Sequence, residues 1–268
     1  MKRSLAIALI SISLISTGTG CQGKGGEVFT QVASKLASAV SASMVNNVKS
    51  DAKLQEAKSD TVDKQKAAYL SVLVTMFGLV AKASGAADVD VQKVKTDTSL
   101  AIAQAKNVDQ QSSAYANGSL QMASVAAKAA GAPESNVQKI LLEASTKVAS
   151  SETVHQKTAI SLIAFVHMVG QLAQAKGASD SIIQKAIATT NSTNPSTDNV
   201  FQQIARYSRG AMLMTSVAAR VAGATETEVL KVLTDTSVDE KLAESVDKLT
   251  VVYLKATVQM GGLLAVPK

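Results

Sequence analysis

The sequence predicts an all-α protein built from 46-residue helical repeats, and three observations support this class. Hydrophobic residues make up 46% of the 268 residues, but aromatic residues make up only 3%. A core of aliphatic residues and Met favours close-packed helices over a β-sandwich. Only three prolines occur, so long helices have few internal breakers. Five methionines, which we call the Met column, recur every 46 residues: Met76, Met122, Met168, Met214 and Met260.

Each full repeat opens with a residue that caps a helix. The units begin near positions 61, 107, 153, 199 and 245, at Thr61, Asn107, Thr153, Asn199 and Ser245. Their side-chain oxygens can accept a backbone N–H of the first turn. Gln110, Gln156 and Gln202 stand three residues later and can complete a capping box. A long helix A, from about 62 to 84 in the first unit, is therefore predicted in each repeat.

Glycines end each helix A before a shorter helix B. These glycines are Gly85, Gly131, Gly177 and Gly223. Gly supplies the left-handed backbone that closes a helix, and acidic residues then favour a new start. Helix B is predicted to span about 11 residues. The last unit ends at Lys268 without a helix B, and the repeats predict either an α-solenoid-like array or a multi-helix bundle.

Alternate units differ in helix A. The second and fourth full units carry Asn117-Gly118 and Arg209-Gly210, whereas the helices between them are more apolar. Neighbouring A helices are therefore expected to occupy different environments, as in a 92-residue double repeat.

Residues 1–20 predict a secretory signal peptide. Lys2 and Arg3 precede the apolar stretch 5–15, which is too short to span a bilayer, and small residues fill 16–20. The single cysteine of the chain, Cys21, follows directly.

This arrangement resembles the signal of bacterial lipoproteins, although Gly18 stands where that family usually has Leu. The resemblance implies that Cys21 is lipidated and anchors the exported chain in the cell envelope. Because Gln22 follows the cysteine, it further implies sorting to the outer membrane in a Gram-negative cell. Ordinary cleavage before Cys21, which would leave a free thiol, is the alternative.

The mature chain is predicted to comprise three parts. Residues 21–28 hold the lipidated cysteine and a Gly-rich, flexible tether. Residues 29–268 form a single all-α repeat domain, which begins with a degenerate entry unit at 29–60.

One residue column is a candidate ligand or interface site: Tyr69, Tyr115, Ser161, Tyr207 and Tyr253. We call it the Tyr column. The tyrosines are expected to pack inward with the hydroxyl at the edge of the core, or to form an aromatic binding ridge. Ser161 interrupts the column and predicts a local gap or a polar contact.

A second column places one lysine at the same position of every helix B: Lys93, Lys139, Lys185 and Lys231. Stacked repeats would align them into a basic ridge for an acidic partner. Asp97, Glu143 and Asp235 stand four residues later, however, and can pair with three of them locally.

The sequence contains no motif for catalysis, phosphate binding or metal binding, so we expect a non-enzymatic protein without a cofactor. Members of the Met column lie in separate units, too far apart to share a metal. The net charge of +6 is spread along the chain, which argues against nucleic acid as a partner. The favoured function is an envelope scaffold that binds a protein. The alternatives are a carrier of an apolar ligand between the long helices and a membrane-inserting protein.

Overall fold

A computed structural model describes residues 25–191 and 199–266, with side chains from residue 42 onward. Within these ranges the chain forms ten α-helices and no strand, which confirms the all-α class. Cys21 and the predicted signal peptide 1–20 lie outside the described residues. The chain divides into two compact units, 1–36 and 37–268. The described part of the first unit is the beginning of helix α1.

Five helices have the bounds expected of helix A: α2 (Val62–Ala83), α4 (Val108–Ala129), α6 (Val154–Ala175), α8 (Val200–Val221) and α10 (Val246–Ala265). The other five helices alternate with them: α1 (Gly25–Lys58), α3 (Asp88–Gln104), α5 (Glu134–Ala149), α7 (Asp180–Asn191) and α9 (Glu226–Leu242). Helix α1 starts within the predicted tether 21–28 and runs through most of the predicted entry unit. Helices α3, α5 and α9 have 16 or 17 residues and are longer than the predicted helix B.

Side chains cap the long helices as the sequence predicts. All five predicted cap residues accept the backbone N–H of the third helical residue. Capping boxes are complete at Thr153 with Gln156 and at Asn199 with Gln202. Gln110 does not complete a box, because its Oε1 accepts the N–H of Lys106, one residue before the cap. Each cap of this kind contributes about 1 kcal/mol.

The five long helices of the second unit close into a ring. Each packs along the next, and α10 packs against both α8 and α2. Consecutive long helices run in the same direction, because equivalent levels meet: a Cβ on Gly78 would lie 3.6 Å from Met122, two residues before Ser124, the 46-residue equivalent of Gly78. The long helices therefore form a closed bundle, not an open array.

Aromatic and methionine side chains fill the centre of the ring. The rings of Phe77 on α2 and Phe165 on α6 meet edge to face, with centroids 4.8 Å apart, although these helices are not neighbours. All five members of the Met column are completely buried. The interior is therefore packed with side chains at this level.

The shorter helices lie outside the ring, over the junctions between long helices. On α3, Val91 faces Gly78 of α2 and Thr98 faces Gly118 of α4. Val45 of α1 stands 46 residues before Val91, and a Cβ on Gly262 of α10 would lie 3.1 Å from it. Residues 42–58 thus occupy the outer position between α10 and α2.

A buried cation joins the first and last long helices. Lys66 Nζ lies 2.6 Å from Asp63 and 2.8 Å from Asp247, and its side chain is only 12% exposed. Burial lowers the pKa of Lys66, but the hydrogen bonds to Asp247 and Asp63 outweigh it and raise the pKa above its usual value.

Candidate functional site

A groove of about 830 Å³ runs along the outer face of α4, between α3 and α5. We call it the α4 groove. Its walls include Lys93, Val94, Asp97, Thr98, Gln138 and Leu141, and its floor includes Ala114, Asn117, Gly118, Gln121, Ser124, Val125 and Lys128. The floor consists mainly of small and amide side chains, because α4 carries few bulky residues on its outer face.

Gly118 lies directly against Thr98, where α3 packs on α4. A Cβ at this position would lie 2.5 Å from Thr98 Oγ1 and 2.9 Å from its Cγ2. The Thr98 hydroxyl donates a 2.7 Å hydrogen bond to the Val94 carbonyl, which fixes its rotamer. The close approach of α3 to α4 therefore requires glycine here.

Two amide side chains on the floor have hydrogen-bonding capacity to spare. Within the described ranges, the side chains of Asn117 and Gln121 donate and accept no hydrogen bond. Each amide carries two N–H donors and a carbonyl acceptor. The floor can therefore bind a polar ligand through several hydrogen bonds at once.

Ion pairs flank the amide floor. Lys93 Nζ lies 2.7 Å from Asp97, and Lys128 Nζ lies 2.7 Å from Glu134 at the other end of the groove. Hydrogen bonds from Gln138 and Lys128 lower the pKa of the Glu134 carboxyl. Both ion pairs are exposed and therefore contribute little to the free energy of unfolding. They give the rim of the groove a defined pattern of charges.

The groove continues into a recess of about 560 Å³ between α4, α5 and α6, which we call the Ser161 recess. The two depressions share Ala114, Asn117, Gln121 and Leu141. Ser161 lines this recess and is only 2% exposed. The sequence predicts a local gap or a polar contact at Ser161, and the structure places Ser161 at the border of this recess.

The equivalent place between α8 and α10 is much smaller. Its recess of about 260 Å³ is lined by Tyr253, which stands 92 residues after Ser161, together with Arg206, Arg209 and Leu213. Tyr253 is 9% exposed and packs with Met212 against α9. A large aromatic side chain thus fills the space that Ser161 leaves open.

The other tyrosines differ in how deeply they are buried. Tyr69 is 3% exposed, and its hydroxyl donates to Glu56. Burial and this hydrogen bond raise the pKa of Tyr69 well above its usual value. Tyr115 and Tyr207 are half-buried. The Tyr column therefore contributes mainly to packing, with part of two rings accessible.

All four lysines of the second column are exposed on the outer helices. Of the three local pairs predicted, the one between Lys93 and Asp97 is present. Across the described part of the chain, Lys139 and Lys231 make no ion pair with Glu143 and Asp235. Lys185 is also exposed, and its carbonyl accepts from Thr189.

The histidines are separated and do not form a common site. His155 Nε2 lies 3.9 Å from Asp109, and its ring centroid is 4.8 Å from that of Phe201. Burial lowers the pKa of His167, with a smaller opposing effect of Glu143. Among residues 25–191 and 199–266 there is no group of three or more His, Cys, Asp or Glu that could hold a metal.

Sequence reasoning missed the α4 groove, although its signal was present. Asn117 and Arg209 occupy equivalent positions on α4 and α8, and this pair marked the two helices as different from their neighbours. It did not show which of the two surfaces would be open, because that depends on the neighbouring outer helices.

Two described helices, α2 and α6, are long and apolar enough to cross a membrane by length and composition alone. Their apolar windows are 61% and 67% buried inside the protein, as expected of core helices. No protein-family model matches the chain, and neither curated proteins nor solved structures show significant similarity to it.

Proposed function

We propose that the chain is an exported, non-enzymatic lipoprotein that acts as an interaction scaffold in the cell envelope. A lipid on Cys21 anchors it to the membrane, in the outer membrane of a Gram-negative cell. The α4 groove binds a segment of a protein partner. The observation that carries this proposal is the open groove above a closed and packed ring.

The chemistry of the groove suits a polypeptide. Side-chain amides can pair with both the N–H and the C=O of a partner's backbone, as Asn117 and Gln121 are free to do. Val94, Val125 and Leu141 offer apolar contact beside these amides. Helix α4 has 22 residues and is about 33 Å long, so several turns of a partner segment fit along it.

The filled centre favours the scaffold over a carrier that encloses its ligand between the long helices. Phe77 and Phe165 meet there, so at their level the centre of the ring has no room for the apolar chain of a ligand. Membrane insertion receives less support, because α2 and α6 would have to withdraw their buried faces from the core. Leakage of lipid vesicles on addition of the protein would favour insertion.

The groove is tested by photo-crosslinking in envelope preparations. A photoreactive residue at Gln121 should capture a defined protein, whereas one at Leu213, the equivalent position on α8, should not. Adding Ala114→Arg and Asn117→Arg should abolish the Gln121 adduct, because both arginines reproduce the side chains that α8 carries. Identical adducts from the two sites, or an adduct that persists in the double variant, would contradict the groove as the interface.

The anchor is tested separately with a fatty-acid label. Cells expressing the protein should incorporate label into it, and Cys21→Ala should remove that incorporation. Equal labelling of the native protein and of Cys21→Ala would contradict the proposed lipid anchor. It would have no bearing on the α4 groove.

A further inference from the structure

The wall of the Ser161 recess includes a side-chain hydroxyl. Ser161 is 2% exposed, yet in the described part of the chain its Oγ makes no hydrogen bond. The residue lines the recess, so the hydroxyl can reach a molecule bound there. This Oγ is not among the fully buried, unpaired polar atoms of the described residues, so it opens onto the recess and can donate a hydrogen bond to a molecule there.

One cation lies on the same helical face as this hydroxyl. Lys157 lines the recess four residues before Ser161, and residues at that spacing are neighbours on a helix surface. Lys157 is half-buried and has no ion-pair partner among the described residues. It is the one charged residue among those that line the recess. The site therefore carries a net positive charge that nothing in its lining neutralises.

Apolar side chains form the remaining wall. Leu120, Leu141, Val148 and Val154 line the recess from α4, α5 and α6. At about 560 Å³ the recess has the size of a small-molecule site. The positions of charge, hydroxyl and apolar wall together define a ligand with one anionic end and one apolar end.

We infer that the Ser161 recess binds a small amphiphilic carboxylate, such as a free medium-chain fatty acid. The carboxylate lies between Lys157 and the Ser161 hydroxyl, which donates a hydrogen bond to it, and the chain lies against the four apolar residues. This site goes beyond the proposed scaffold function, because its ligand is a small molecule and its key residues lie outside the α4 groove.

The equivalent recess between α6 and α8, of about 540 Å³, has Gln203 and Tyr207 in place of Lys157 and Ser161 and so lacks the charge. Another equivalent recess lies between α8 and α10. There Tyr253 replaces Ser161 and Leu249 replaces Lys157, so both the space and the charge are missing. Substitutions that introduce these residues at the Ser161 recess should therefore remove binding while preserving the fold.

The inference is tested by calorimetric titration of the intact chain with decanoate and with decanol. The native protein should bind decanoate at one saturable site. Ser161→Tyr should weaken decanoate binding at least about tenfold by filling the recess, and Lys157→Gln should weaken it about tenfold by removing the charge. Lys157→Gln should change decanol binding by less than about twofold. Lys176→Gln, at the opposite end of the same helix, is the matched control and should change neither.

Two results would overturn the inference. One is the absence of saturable decanoate binding by the native protein, or unchanged binding by Ser161→Tyr. The other is an equal loss of decanoate and decanol binding in Lys157→Gln, since charge recognition must separate the two. If Ser161→Tyr does not fold, the titrations of Lys157→Gln with decanoate and decanol decide whether the inference holds. Failure of this test leaves the crosslinking test of the α4 groove unaffected.

Discussion

The outer faces of α4 and α8 occupy equivalent places in the ring, 92 residues apart, but among the described residues the depression of about 830 Å³ on α4 is larger than that of about 260 Å³ on α8. Both helices bring a glycine against a threonine of the preceding outer helix, Gly118 with Thr98 and Gly210 with Thr190. The backbone is therefore set in the same way in both places. What differs is the size of the side chains on the outer faces and the length of the preceding outer helix, which is 17 residues in α3 and 12 in α7.

The residues that hold the helices in position are therefore different from those that shape the outer surface. The glycine–threonine contacts hold the outer helices in position. Asn117 and Ser161 leave space, whereas their counterparts Arg209 and Tyr253 occupy it. Exchanging residues between the outer faces of α4 and α8 should therefore exchange their surface properties and leave the fold unchanged.

The largest expected effect comes from opening the closed side. Tyr253→Ser removes a nearly buried ring from its contacts with Met212 and α9, and should lower the free energy of unfolding by about 3 kcal/mol. Urea denaturation measures this change. Tyr115→Ser is the matched control and should cost less, because Tyr115 is only half-buried. Equal losses of unfolding free energy in the two variants would show that the Tyr253 ring does not stabilise the closed recess.

A smaller effect should follow from adding one methyl group to the floor of the α4 groove. Gly118→Ala places a Cβ within 3 Å of two Thr98 atoms, so rotation of Thr98 cannot relieve the clash. We expect the free energy of unfolding to fall by about 1–2 kcal/mol, measured by urea denaturation.

Removing the threonine provides the control for that prediction. The double variant Thr98→Ala with Gly118→Ala should recover most of the lost stability, because the equivalent pair on α5 and α6 is Ala144 with Ala164. If the double variant does not recover stability, Gly118 is needed for a reason other than the close approach of α3 to α4.

The smallest effect concerns the position equivalent to Gln121 and Leu213, which is His167 on α6. Burial lowers the pKa of His167, so the folded state binds a proton less readily than the unfolded state. Its contribution to stability is present above the unfolded pKa of about 6.5 and is lost as pH falls below it. His167→Gln should reduce the loss of stability between pH 7 and 5 by less than about 1 kcal/mol, measured by urea denaturation at each pH. An unchanged pH profile would contradict this.

Local signals in the sequence predicted the helix starts and ends well. Thr153 and its equivalents cap helices through short-range hydrogen bonds, and Gly85 adopts a φ of 93°, as a helix-closing glycine should. These features depend on a few neighbouring residues. The length predicted for helix B is right for α7 but too short for α3, α5 and α9. The polar ends of α3 and α9 are held by buried contacts such as those of Thr98 and Thr236, which composition does not reveal.

Closure of the ring could not be predicted from the repeats. It depends on contacts between the two ends of the domain, such as Val45 with the Gly262 region and Lys66 with Asp247. The Ser161 gap was predictable, because one small residue interrupts a column of large ones. The role of Lys157 was not, since its column holds Gln65, Gln111, Gln203 and Leu249 and nothing marks the position as a site.

The contact between α2 and α10 also bears on when the protein can fold. Helix α2 has α10 as one of its two neighbours, and Lys66 pairs with Asp247, which follows it by 181 positions. A chain whose ends must meet folds slowly, because a long loop has to close first. If the chain is exported as proposed, this delay keeps it open until the whole domain has passed through the membrane.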